Sequence, residues 1–173
     1  MSTINVLIAV DAATLALQVK DGSIKPGTQS TPTSLHSYIR SDVYIDMIMQ
    51  NGSVSNASDG QPQFQMKCNS GDTVRWTITS FANNFDHSVF LYNVKLSRSF
   101  AKVSYDSTPL DNYLPTQGDG GSTGNVTKYV NQIATVQANV VKVGRSNKYM
   151  LSFQLIDNSN GEVIGYFKWV YKD

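Results

Sequence analysis

Two histidines, one cysteine and a scatter of loop carboxylates are the residues of this chain whose types could do chemistry. His87 stands beside Asp86 and follows Arg75 in the same stretch, "GDTVRWTITSFANNFDHSVFLYNVKL", residues 71–96. A histidine near a carboxylate would suit a general base, but catalysis needs a positioned set of partners. The seven residues "FANNFDH" (81–87) read more simply as a polar corner between two strands. His36 lies 51 positions before His87, and no second His or Cys stands at metal-ligand spacing, so no structural zinc is expected. Cys68 has no nucleophile signature around it and reads as a small, buried or half-buried thiol.

Serine chemistry finds no support either. There is no G-x-S-x-G, and "GGST" (120–123) lacks the strand–turn–helix setting that a nucleophile elbow requires. The run "GDGGSTG" (118–124) is rich enough in glycine to suggest phosphate binding. A phosphate loop, however, follows a strand, opens a helix and usually carries a lysine after its last glycine. Here Gly124 leads into Asn-Val-Thr and a strand, which reads as a hairpin tip or a subunit-contact loop. Oxygen-bearing loop residues are more suggestive. Asp106, Asp111, Asn112, Asp119 and Asn125 are of the type calcium prefers. With Tyr113 beside them they resemble the clustered Asp, Asn and aromatic groups of sugar-binding sandwiches, although their spacing is not that of a known calcium loop. The three N-x-S/T matches, at Asn51, Asn56 and Asn125, read as turn chemistry.

The elements that must position these groups repeat mostly with period two. Ile4–Val10 reads as an opening strand, apolar enough for both faces to be covered. Asp11 suits the N-cap of a short helix over Ala12–Leu17. "DGSIKPGTQSTPTSLHS" (21–37) is a long loop, functional or mobile. Asp42–Met49 alternates, with Val43, Ile45, Met47 and Met49 on one face, and Gln63–Cys68 is a further strand. Val74, Trp76 and Ile78 alternate with Arg75, Thr77 and Thr79, the pattern of a strand apolar inside and polar outside. Phe90, Tyr92, Val94 and Leu96 alternate after the corner. Ser97–Thr127 reads as irregular, its centre too glycine-rich for a regular element. Tyr129–Val143 is a strand with a bend. Lys148–Ile156 and Val163–Tyr171 form a hairpin across "DNSNGE". The expected fold is all-β: an antiparallel two-sheet, jelly-roll-like sandwich of about eight strands and at most one short helix, one domain over residues 1–173.

Bulk properties narrow the function. A chain of 173 residues buries roughly 70% of its unfolded surface and can hold a core without metal or disulfide. It carries 14 Lys and Arg against 13 Asp and Glu, formally +1, with no run of like charge. That excludes the concentrated basic surface that nucleic acid wants, and a polybasic membrane contact. No segment reaches the ~20 apolar residues of a bilayer span. The first residues lack a basic signal-peptide start, so the expected location is the cytoplasm.

"INVLIAVDAATL", "YIDMIM" and above all "GDTVRWTITSFANNFDHSVFLYNV" carry a resemblance. With the closing Tyr-Phe-Lys-Trp stretch they are similar to the bacterial inclusion-body protein family typified by PixA and AidA. The likeness covers most of the chain in order, and the segment from Gly71 to Trp76 is its most specific piece. It implies abundant cytoplasmic protein bodies in host-associated bacteria, an unestablished activity and no catalytic residues to carry over. Methionine richness, noted in PixA-like members, is missing here, with five Met in all.

The leading expectation is therefore a non-enzymatic, self-associating cytoplasmic protein without cofactor. Low net charge favours such association and strand edges offer surfaces for it. The alternative is a lectin-like module binding sugar or calcium through loops 21–37 and 106–125. A hydrolase with His87 as base is the third reading.

Overall fold

The computed structural model describes residues 1–35, 44–50, 66–118, 121–143 and 149–171. His36, Asp119, Asn51, Asn56 and the first half of the expected strand at Gln63–Cys68 fall outside them; Met66–Cys68 belong to no named strand. The chain runs β1 (Thr3–Val10), α1 (Ala12–Lys20), β2 (Thr33–Ser34), β3 (Ile45–Met49), β4 (Thr73–Ser80), β5 (His87–Leu96), β6 (Phe100–Gly118), β7 (Gly121–Val140), β8 (Tyr149–Asp157) and β9 (Val163–Tyr171). These make nine strands and one helix among the described residues. One sheet has the order β3-β1-β4-β7-β6, the other β2-β9-β8-β5.

Both sheets are mixed, which corrects the expectation of a purely antiparallel, jelly-roll-like sandwich. β1 runs parallel to β4 from Thr3↔Thr73 to Val10↔Ser80, and β2 runs parallel to β9. Period-two alternation is the same in either direction, so the sequence pattern could not separate them. The two sheets share one core. Ile4, Val6, Ile8 and Val10 of β1 and Val74, Trp76 and Ile78 of β4 join Val89, Leu151, Phe153, Leu155, Phe167 and Trp169 of the second sheet in a single buried cluster. β1 is covered mainly on one face, since Thr3 and Asn5 are exposed and Leu7 is 38% exposed.

The helix starts where expected and runs a turn further. Asp11 caps it, its carboxylate accepting the Thr14 amide at 3.1 Å. The following loop lies along the second sheet. Ile24 and Leu35 are buried, Gly27 bridges Tyr166, and Tyr92 Oη donates to Gln29 O at 3.1 Å. A Cβ on Gly27 would stand 2.4 Å from Thr33 N and 2.7 Å from Tyr166 O, so only glycine permits this approach.

β5 departs from simple alternation. A bulge between Leu91 and Asn93 puts Val89 and Leu91 inside before it and Val94 inside after it. One extra residue, Tyr92, reverses the parity of the strand. The larger correction concerns Ser97–Thr127. Most of that span is strand, and β6 and β7 pair as a hairpin from Phe100↔Val140 out to Gly118↔Gly121, with Asn125 inside β7. Cross-strand backbone bonding holds such a ribbon without a buried face, so the one-sided hydrophobic period used to read strands is absent there.

Candidate functional site

The expected ligand residues lie on this ribbon. β4 pairs with β7 only over Thr73–Thr77 and Thr135–Asn139, so among the described residues β7 before Thr135 pairs with β6 alone. From Asp106 to Gly118 the ribbon runs on for roughly 40 Å at ~3.3 Å per residue. A bulge at its base, between Ala101 and Ser104, holds Lys102 at φ 54°.

Strand alternation sorts the four described ligand residues onto two faces. Asp106 and Asn112 share the solvent side of the sheet, and Asp111 and Tyr113 the core side. Asp106 and Asp111 are five residues apart, about 16 Å along the strand. Each has its own partner. Asp111 pairs with Lys128 at 2.7 Å. Asp106 accepts from Ser104 Oγ at 3.2 Å and from Gln137 Nε2 at 3.0 Å. Asn112 Nδ2 donates to Leu110 O. Among the described residues no three His, Cys, Asp or Glu side chains stand close enough to hold a metal ion. Loops 21–37 and 106–125 were expected to form one polar end. The first instead lies along β9 at the edge of the second sheet, and the second is β6–β7 at the edge of the first.

Arg75 faces outward, as its place in the alternation predicts. Its guanidinium donates to Gln137 Oε1 at 3.4 Å, and Gln137 passes on to Asp106, so one amide links cation and carboxylate across three strands.

The corner after β4 is built by backbone needs. Asn83 and Asn84 take φ 52° and 58°. Asn84 Oδ1 accepts the amides of Ser80 (2.9 Å) and Val89 (3.3 Å), and Ser80 Oγ accepts the Asn84 amide at 2.7 Å. His87 opens β5 as the cross-strand partner of Asp157 rather than of Asp86. Asp157 accepts Ser159 Oγ at 2.6 Å and the Ser159 amide at 2.8 Å. Those bonds, followed by the nearby His87, lower the pKa of its carboxyl. In a nucleophile–base–carboxylate relay the hydroxyl bonds the imidazole. Here the hydroxyl bonds the carboxylate. Cys68 is half-buried, and burial with the negative charge of Asp72 raises its thiol pKa, away from the thiolate.

A groove of about 570 Å³ opens between the corner and the base of the ribbon. Asn83, Asn131 and Gln132 line it beside Leu7 and Phe90. Apolar side chains outside the core gather on the ribbon: Tyr113, Leu114, Val126 and Val130 are 55–63% exposed. The sequence did signal this element, since two stretches with Thr, Val and Tyr flank a glycine-rich tip.

The model of the PixA family, described as inclusion body protein, matches residues 2–171. Among solved structures the chain is similar to an inclusion body protein of that family from Burkholderia cenocepacia J2315. The two are 22% identical with a TM-score of 0.72, over 99% of this chain and 94% of that one, a likeness of fold. No curated protein matches. Among the described residues no helix is long and apolar enough to cross a membrane.

Proposed function

Because the chain belongs to the PixA family of inclusion body proteins, we propose that it acts by associating with copies of itself, in the cytoplasm, rather than by catalysing a reaction. The observation that carries this reading is the ribbon: a projecting β-hairpin with large apolar side chains exposed on it. Large apolar side chains exposed together on one element mark an interaction site. Near-neutral charge, +1 over the chain, supports it by leaving little repulsion between copies. The expected outcome is a molar mass that rises with concentration in sedimentation velocity, and dense bodies in cells that express the protein strongly. A monomer at every concentration, with the protein evenly spread in cells, would contradict it.

A sugar ligand is the second reading, and the groove favours it. Amides from Asn83, Asn131 and Gln132 beside Phe90 offer neutral hydrogen bonding next to an aromatic face. A glycan array run with calcium and with chelator checks this; a saturable hit abolished by Gln132→Ala would move the reading to a lectin-like module.

A further inference from the structure

The groove between the corner and the base of the ribbon exists because the first sheet forks. β4 and β7 pair as far as Thr77↔Thr135, and the next pair in that register, Ile78 with Ala134, is not made. From there β4 stays with β1 through Thr79 and Ser80, while β7 stays with β6. On the β4 side Asn84 Oδ1 accepts the Ser80 amide, so that donor is closed to a neighbouring strand. Asn158 Nδ2 donates to Asn84 O at 2.7 Å and to Phe85 O at 3.1 Å, which ties the corner to the turn between β8 and β9. The concavity is thus framed by backbone and hydrogen-bonded corner residues, a frame set before any ligand arrives.

The walls of the fork carry no charge. Among the described residues that line it there is no Asp, Glu, Lys, Arg or His. Thr77, Thr79 and Ser88 supply hydroxyls. The side-chain amides of Asn83 and Asn131 make no hydrogen bond among the described residues. Gln132 Oε1 accepts Ser107 Oγ at 3.2 Å, which leaves its Nε2 to donate. These groups select the ligand by what they cannot serve. An ion would give up its water here and meet no counter-charge. Calcium would find no carboxylate. A wholly apolar ligand would strand the amides without partners. A neutral polyhydroxyl compound suits them all: its hydroxyls donate and accept as amides do, and the C–H side of a sugar ring packs on the half-buried ring of Phe90. The volume of about 570 Å³ lies within the roughly 300–1,000 Å³ of small-molecule sites.

We propose that the fork is a metal-free seat for an uncharged oligosaccharide. Asn83, Asn131 and Gln132 bond its hydroxyls, Phe90 carries a ring, and Asn84 holds the corner in place without touching the sugar. The proposal rests on the sugar reading, narrows its class to neutral glycans and frees it of calcium; it is independent of self-association. The test is an array of neutral oligosaccharides built on glucose, galactose and mannose, set beside sialylated, uronic and sulfated glycans and probed with the full chain in calcium and again in EDTA. Binding to neutral members alone, equal in both buffers, is expected. Asn131→Ala and Gln132→Ala, both exposed and outside the core, are each expected to weaken that binding roughly tenfold, the loss of about one hydrogen bond. Leu17→Ala on α1, away from the groove, is expected to leave it unchanged. A preference for acidic glycans, or binding lost in EDTA, would overturn the neutral, metal-free assignment while a sugar ligand stands. Neutral binding that both amide variants keep in full would overturn the fork as its site. A blank array would remove the sugar reading and this inference together.

Discussion

Asp72 joins the beginning of the chain to the turn that feeds β4. Its carboxylate accepts the amides of Asn69 at 2.9 Å and Ser2 at 2.8 Å, and these bonds lower its pKa. A carboxyl whose folded pKa is depressed stabilises the fold above its unfolded value, about 3.9, and loses that contribution as pH falls through the folded pKa. Asp72→Asn is therefore expected to lower the urea midpoint at neutral pH and to flatten its decline below pH ~4. An equally steep acid decline in the variant would remove Asp72 from that role. Half of this was legible in the sequence. Gly71 and Asp72 were readable as the turn, and Gly71 sits at φ 94° as such a turn requires. Ser2 was not, because it lies 70 residues away and a parallel pairing brings it there. The candidate ligand residues show the same divide. Asp106, Asp111, Asn112 and Tyr113 cluster in the sequence, and strand alternation then spreads them over two faces.

Two elements with similar β-favouring text behave oppositely. β4 alternates cleanly because one face is buried and the other wet, so Trp76 at 0% exposed was readable as core. Its ring packs edge-on against Phe100 at 6.1 Å and lies 6.4 Å from Tyr149. Trp76→Ala is expected to cost ~3–5 kcal/mol in denaturant unfolding of the monomer. Tyr113→Ala, on the ribbon, is expected to stay within about 0.5 kcal/mol under the same conditions. Comparable losses for the two would mean that the ribbon belongs to the monomer core. β6 and the first half of β7 escaped the pattern because neither ribbon face is buried in one copy. The β5 bulge escaped it because one inserted residue leaves the composition unchanged and flips the faces.

At the scale of the molecule, the sequence carried the two-layer β architecture and the opening helix. It did not carry the direction of β1 against β4 or of β2 against β9, which depends on contacts between distant segments. The resulting shape has a covered part, where both sheets meet, and a projecting part, where one sheet continues alone. The proposed association between copies belongs to the second. Hydrogen–deuterium exchange along the intact chain, at low and at high protein concentration, tests this most directly. Amides of residues 126–134 are expected to exchange fast in dilute solution and to become protected as concentration rises, while those of β8 stay protected throughout. A ribbon that exchanges at the same rate at both concentrations, in a sample that has associated, would contradict the account.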